Sequence, residues 1–239
     1  MRALVLAAGK GERLREQTRD IPKPMADIDG RPVLEHVVEH LRHSGILDII
    51  INLHHLPDVI RDHFGDGGRW GVSIEYSFEP ELLGTAGAAK KLQDELSETF
   101  LVYYGDNLCD CDLRRLGRFH RRRGGAVTMV VAESYDDVAG GVVEFEDDGL
   151  LTGFSEKPAL TGGGPRWENG GIYVIEPAVL SFIPEGRPSD FARDVFPALL
   201  DAGERMYCYP SEGPIRGIDT PERFRLVRGE LAEGRLKLR

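Results

Sequence analysis

Apolar runs rich in β-branched residues recur at 3–7, 49–53, 72–76, 100–104 and 126–132, and each reads as a strand. Between them the apolar spacing becomes helical. Pro32 followed by Val33, Leu34, Val37, Val38 and Leu41 predicts an amphipathic helix with proline in its first turn, ending near Gly45. Residues 59–64 and 86–96 predict two more helices. Strand and helix alternating in this way predict an α/β fold built on a mostly parallel sheet flanked by helices, with ligand sites beyond the carboxyl ends of the strands. After Ala132 the pattern changes to short strands with turn signals at 141–145, 151–154 and 171–175, then to helices at 190–202 and 221–233. Thr161-Gly162-Gly163-Gly164-Pro165 reads as a mobile loop.

A chain of 239 residues can bury a real core, and one domain is expected. The net charge of −10 argues against a sequence-independent grip on nucleic acid, which needs a surplus of Lys and Arg. Arg121, Arg122 and Arg123 are the densest basic run, but they stand at the end of a predicted helix, before Gly124 and Gly125, where cations complement the helix dipole. Three cysteines, with Cys109 and Cys111 too close for a usual zinc knuckle, imply a reduced, cytoplasmic setting. The apolar start is cut short at Gly9-Lys10-Gly11-Glu12-Arg13, unlike a signal peptide, and no stretch reaches the roughly 18 apolar residues that span a membrane.

The first strand runs into Ala8-Gly9-Lys10-Gly11-Glu12-Arg13-Leu14, whose glycines let backbone amides approach an anion. It lacks the Gly-Lys-Ser/Thr ending of a P-loop and the third glycine of a dinucleotide fingerprint. Asp29, the acid at the distance an oxidoreductase would need, sits in an Asp-Gly turn rather than at a strand end. Ten residues after Arg13 comes Pro22-Lys23-Pro24-Met25, a lysine held on a stiff loop. A guanidinium fork and a point charge together suit a triphosphate. Tyr104-Gly105-Asp106-Asn107 ends a strand, where a carboxylate faces ligand in an open α/β sheet.

Leu6 to Leu14 followed by Pro22-Lys23-Pro24-Met25 resembles the signature of the sugar-1-phosphate nucleotidyltransferase family, which includes mannose- and heptose-1-phosphate guanylyltransferases and muramate-1-phosphate uridylyltransferases. The resemblance covers nearly the whole chain. It implies a single nucleotidyltransferase domain over 1–239, with a Rossmann-like nucleotide-binding core over about 1–132 and a sugar-binding part and C-terminal helices over about 133–239. It further implies Mg2+ and in-line displacement at the α-phosphate.

Carried over residue by residue, the resemblance puts Leu6, Ala8, Gly9, Lys10, Gly11 and Arg13 at the triphosphate, and Lys23 near the reacting phosphates. Leu83-Gly84-Thr85-Ala86-Gly87 resembles the segment that contacts base and ribose, naming Gly84, Thr85 and Gly87; read alone it is a helix N-terminus capped by Thr85. Asp106 matches the family's metal-binding Gly-Asp motif and joins Arg13 and Lys23 as a catalytic residue. Phe154-Ser155-Glu156-Lys157-Pro158 and Glu168-Asn169-Gly170-Gly171 resemble the sugar-site motifs, with Glu156 and Asn169 on sugar hydroxyls, Lys157 on the sugar phosphate, and Gly141 presenting backbone.

The chain departs from the pattern at Gly217-Ile218-Asp219-Thr220-Pro221, since many members carry the second metal aspartate where Gly217 stands. Asp219 is then either a displaced Mg2+ ligand, because strand residues two apart share a face, or the cap of the following helix. Glu12 and Glu16 also replace a usual threonine and proline. His54 and His55 are read as structural.

The expected function is condensation of a nucleoside triphosphate with a sugar 1-phosphate. GTP is favoured because Leu83-Gly84-Thr85-Ala86-Gly87 resembles the guanylyltransferase branch more than the others, and a manno-configured hexose or heptose is favoured by resemblance alone, with UTP, CTP or ATP and another sugar left open. A catalytically silent nucleotide-sugar sensor is the reading from another class. No nucleic-acid or membrane partner is expected, and exposed helices leave room for a homodimer.

Overall fold

The computed structural model describes residues 1–14, 18, 20–134, 141–156, 166–236 and 238. In chain order the described strands are β1 (Ala3–Leu6), β2 (Asp27–Ile28), β3 (Arg31–Pro32), β4 (Asp48–Leu53), β5 (Ser73–Phe78), β6 (Phe100–Tyr104) and β7 (Asn107–Leu108). They continue as β8 (Val127–Ser134), β9 (Gly141–Phe145), β10 (Leu151–Glu156), β11 (Arg166–Ile175), β12 (Met206–Pro210) and β13 (Arg216–Gly217). The helices are α1 (Val33–His43), α2 (Pro57–Phe64), α3 (Gly84–Lys91), α4 (Leu113–Arg123), α5 (Phe196–Asp201) and α6 (Pro221–Ala232).

The chain divides into two compact units, the first made of Met1–Leu82, Val102–Asp112 and Gly213–Arg239, the second of Leu83–Leu101 and Leu113–Glu212. The change of pattern expected near residue 132 lies within β8 of the second unit.

In the first unit β1, β4 and β5 run parallel, in register Leu6↔Asn52 and Asn52↔Ser77, so their carboxyl ends fall together. β1 and β4 are buried on both faces, with Leu4, Val5, Ile49, Ile50 and Ile51 at most 1% exposed, as the inner strands of a helix-covered parallel sheet require, whereas β5 at the edge exposes Ser73, Glu75 and Phe78. Helix α1 starts directly after Pro32 and closes on Gly45, whose φ of 77° lets Ile46 N donate back to Leu41 O. Asp29 and Gly30, at φ 58° and 79°, make the tight hairpin between β2 and β3, as the Asp-Gly signal predicts.

A buried cluster of Leu14, Ala26, Ile28, Val33, Leu108, Ile218, Phe224, Val227 and Leu236 packs α6 against the loops at this end of the unit. Its members flank Arg13, Lys23, Asp106 and Asp219 in sequence, so one apolar core positions four charged residues from distant parts of the chain. Each buried aliphatic contributes about 1.5–3 kcal/mol. Arg216 adds a paired contact to Glu230 of α6, at 2.7 and 2.9 Å.

In the second unit β8, β9, β10 and β11 form antiparallel ladders, and β12 joins β8 in parallel. β11 begins at Arg166, earlier than the expected start at 171, and β12 carries no counterpart in the sequence reading. The helix expected over 190–202 opens instead as a π-helical turn over Phe191–Val195, because Asp190 accepts from both Ala192 N and Arg193 N, before α5 takes over at Phe196. The basic run forms the last turn of α4, where Arg123 lies over the rings of Phe119 and Tyr207 at 5.3 and 5.7 Å.

Candidate active site

Beyond the carboxyl ends of the first unit's strands, Lys23 sits on a 3₁₀ turn between two prolines with its side chain only 10% exposed. Its Nζ donates to Asp106 Oδ2 and, at 2.5 Å, to Asp219 Oδ1. Arg13 Nη2 approaches the same Asp219 oxygen at 3.2 Å, and Arg223 Nη1 lies 3.9 Å from the other. Burial works against the Lys23 ammonium, but Asp106 and Asp219 outweigh it and hold its pKa above the usual lysine value. Burial likewise pushes the Asp219 carboxyl up, and Lys23, Arg13 and Arg223 outweigh that and leave it below the usual carboxylate range. Lys23 and Asp219 are therefore both charged at neutral pH.

Two local structures bring the aspartates together. Gly217 pairs with Asn107 and Arg216 with Leu108, and Ile218 N donates to Asp106 O, so β13 is laid against the Asp106 turn. The helix that follows is capped by Thr220, whose side chain accepts from Arg223 N at 3.3 Å. Asp219 is therefore not the cap. A Cβ built on Gly217 would stand 3.2 Å from Asp219 Oδ2, so an acid at either position would reach one space.

Gly11 has φ 65°, and a Cβ there would stand 2.9 Å from Lys23 Cβ, so the loop must be glycine where it backs onto the lysine. Gly9 faces open space, Ala8 is buried, Lys10 is exposed, and Leu6 ends β1. Thr18 braces the loop by donating to Gly11 O and Leu14 O.

Two carboxylates converging on one cationic nitrogen fit the way Mg2+ is held, by one or two carboxylates with phosphates and water filling the rest. Among the described residues no group of three or more His, Cys, Asp or Glu is arranged as a closed metal cage. The described cysteines Cys109, Cys111 and Cys208 are free and buried, and burial pushes Cys109 up to about 11 and Cys208 to about 12, which leaves both as unreactive thiols.

In the second unit, the segment read as contacting the nucleotide is pinned to Ser189, whose carbonyl accepts from Ala86 N and Gly87 N while its own N–H donates to Leu83 O. Thr85 lies inside α3 rather than capping it: its hydroxyl donates to Asp190 Oδ2 and accepts from Phe191 N, both at 2.9 Å. Gly84 has φ 75°, and a Cβ there would stand 2.3 Å from Ser189 O. Gly84→Ala is expected to cost about 2–4 kcal/mol through left-handed backbone strain and overlap. In a chain of this size that lowers the unfolding midpoint by roughly 5–15 °C, measurable by calorimetry.

The expected sugar-site residues of this unit meet on one face of the antiparallel ladders. Glu156 pairs with Gly141 across β10 and β9, and a Cβ on Gly141 would stand 2.9 Å from Glu156 Oε2 and 3.5 Å from Asn169 Cβ. Asn169 is held by Gly171 N, which donates to its oxygen, and by Tyr173 Oη, which accepts from its amide at 2.8 Å. Lys157, Glu16 and the loop 161–165 lie outside the described residues.

The sequence reading passed over Asn52, Glu79, Asp190 and Tyr173. Asn52 carried a signal, a polar residue closing the apolar run Ile49-Ile50-Ile51; Glu79, directly before Pro80, carried none.

The folded chain thus pairs a parallel α/β sheet with a cationic, carboxylate-bearing site at its strand ends, the equipment of a protein that handles nucleotide phosphates. The model of the family described as nucleotidyl transferase matches residues 2–214, and the chain belongs to that family. It is 38% identical over 247 residues to a UTP–glucose-1-phosphate uridylyltransferase of Synechocystis sp., covering 97% of this chain and 64% of that protein. It is also 38% identical over 230 residues to a mannose-1-phosphate guanylyltransferase of Mycobacterium tuberculosis, covering 95% and 63%. The chain therefore spans a little under two thirds of the length of these relatives. A crystal structure of HddC from Yersinia pseudotuberculosis, complexed with GMP-PN, superposes with a TM-score of 0.80 at 25% identity, over 96% of this chain and 99% of that one.

Proposed function

We propose that the chain joins a nucleoside triphosphate to a sugar 1-phosphate, releasing pyrophosphate and an activated nucleotide sugar. The observation that carries this reading is the placement of Lys23 between Asp106 and Asp219 with Arg13 alongside, two acids for a divalent cation and two cations for phosphate.

Lys23 and Arg13 hold the triphosphate and meet the charge that develops on pyrophosphate as it leaves. A phosphate oxygen of the sugar substrate attacks the α-phosphorus in line, so no covalent enzyme intermediate forms. Asp106 and Asp219 would hold Mg2+, which when bound neutralises phosphate charge and orients the α-phosphate. Glu156, Asn169 and the Gly141 backbone receive the sugar hydroxyls, and Lys157 its phosphate. Gly9, Gly11 and the segment Gly84, Thr85 and Gly87 hold the nucleotide.

GTP is the favoured triphosphate and a manno-configured sugar the favoured acceptor. The resemblance of 83–87 to guanylyltransferases supports this, as does the run of mannose-1-phosphate guanylyltransferases among the relatives, including those of Xenopus laevis and Saccharomyces cerevisiae. UTP with glucose 1-phosphate is the second reading, carried by the Synechocystis relative.

The test is pyrophosphate release with Mg2+, each of ATP, CTP, GTP, UTP and dTTP, and a panel of hexose and heptose 1-phosphates. Release with GTP and a manno-configured acceptor is the expected result; release with UTP and glucose 1-phosphate would select the second reading. Silence with every pair, while nucleotide sugars still bind, would overturn the proposal in favour of a sensor. In the active combination, Glu156→Ala is expected to raise KM for the sugar phosphate about 10–100-fold and leave KM for the triphosphate within twofold, in line with the loss of hydrogen bonds to a charged group.

A further inference from the structure

Asn52 and Glu79 stand at the carboxyl ends of β4 and β5, 3% and 1% exposed, and nothing in the proposed chemistry uses them. Asn52 Oδ1 accepts from Ala7 N at 2.7 Å, and Asn52 Nδ2 donates to Glu79 Oε1 at 2.8 Å. Ala7 N–H belongs to the Leu6–Ala7 peptide, and the carbonyl of that same peptide accepts from Gly105 N at 2.9 Å. Gly105 directly precedes Asp106, and Ala7 directly precedes the glycine loop.

The three bonds form one chain with a single direction. Gly105 donates to the Leu6–Ala7 peptide, that peptide donates to Asn52, and Asn52 donates to the Glu79 carboxylate. Each amide dipole points its positive end towards the Glu79 side chain, so the bonds polarise one another in the same sense. Glu79 is placed from behind as well, since its own N–H donates to Leu53 O and His54 Nδ1 donates to its carbonyl, both at 2.8 Å. Burying a carboxyl group costs free energy, and a core needing only volume would carry an apolar residue here. The register strengthens the case: the β1 ladder ends at Leu6↔Asn52, so the Asn52 side chain takes the bond that the next backbone position of β4 would have made. The chain is thereby released from the sheet at the point where the loop must turn over the phosphates.

We infer that Asn52 and Glu79 are positioning residues, holding the glycine loop and the Asp106 turn to one shared peptide through a polarised hydrogen-bond chain. The catalytic meaning of the inference rests on the proposed role of Asp106; the positioning itself does not.

The test is a transposition. Asn52→Asp keeps an acceptor for Ala7 N but sets two carboxylates against each other, whereas N52D/E79Q restores one amide and one carboxylate with their places exchanged. Amide hydrogen exchange in the free, full-length protein is measured over segments 7–11 and 103–108, with kcat and both KM values for the active substrate pair. For N52D, exchange in both segments is expected to quicken at least tenfold and kcat to fall at least tenfold, with KM for the sugar phosphate within twofold. The double variant is expected to return both readouts to within threefold of the wild type, and E79Q alone, which keeps an acceptor for Asn52, to lose less than N52D. An N52D protein with unchanged exchange in the two segments overturns the inference, as does a double variant no better than N52D. Faster exchange that the double variant reverses, with kcat unmoved throughout, keeps the positioning and overturns the role assigned to Asp106.

Discussion

Lys23→Ala is expected to lower turnover by at least about 10²–10³-fold while circular dichroism shows the fold retained, the scale seen when one preorganised charge donor is removed from a phosphoryl or oxyanion site. The change is large because, among the described residues, Lys23 alone bridges Asp106 and Asp219, while Arg13 and Arg223 reach Asp219. The lysine stands on a proline-bounded turn, 10% exposed, and nearby Arg13 has a side chain 66% exposed and tied to Asp219. Lys23→Arg is expected to recover little, since Lys23 Cβ already faces the Gly11 position closely and a planar fork does not fit between two carboxylates as a point charge does. An active, folded Lys23→Ala protein would remove the central assignment of the site.

The same substitution carries a stability signature with a defined sign. Asp219 has its folded pKa held below its ordinary 3.8, so its contribution is present above about pH 4 and is lost as pH falls through the lowered value. Lys23 has its folded pKa held above its ordinary 10.5, so its contribution is complete below that value and is lost as pH rises through the raised one. Urea unfolding of wild type and Lys23→Ala should therefore differ most between about pH 4 and 10 and converge at both extremes. A gap unchanged at pH 2.5 would show that the lysine stabilises by packing alone.

The second large effect concerns the displaced aspartate. Asp219→Gly is expected to cost at least about 10²-fold in turnover, and adding Gly217→Asp to return activity to within about tenfold of the wild type, in line with the magnitudes of charge-positioning losses. The reason is geometric: a Cβ at 217 stands 3.2 Å from Asp219 Oδ2 and 2.9 Å from Asn107 Oδ1, so the restored acid enters the same space once Asn107 shifts slightly. Helix α6 should survive both changes, because Thr220 caps it. If Asp219→Gly keeps wild-type turnover, Asp219 is not part of the cation site; if the double variant is no better than the single one, the two positions are not equivalent.

Much of the fold was legible because the signals are local. The β-branched runs became β1, β4, β5, β6 and β8, and Pro32 with Gly45 bounded α1, since strand burial, proline geometry and the left-handed glycine stop each act within a few residues. The short strands β7 and β13 were not legible. Two residues carry no periodicity, and each exists only because the other lies beside it. β12 is likewise defined by β8, 79 residues earlier in register, and not by its own five residues.

By itself the sequence determined the alternation of strand and helix, the glycine turn after β1, the stiff Pro-Lys-Pro segment and the residue types that a phosphate site needs, because each follows from backbone sterics or from the charge of individual side chains. Only the tertiary structure decided which charges share a space. Lys23, Asp106 and Asp219 are 83 and 196 residues apart along the chain, and they meet because one apolar cluster buries their neighbours Ala26, Leu108 and Ile218 together. It also decided that Thr220 and not Asp219 caps the last helix, and that Asn52 and Glu79 stand behind the glycine loop. Such long-range pairings are selected by burial and ladder register, which depend on the folded chain as a whole and leave no spacing to be read in advance.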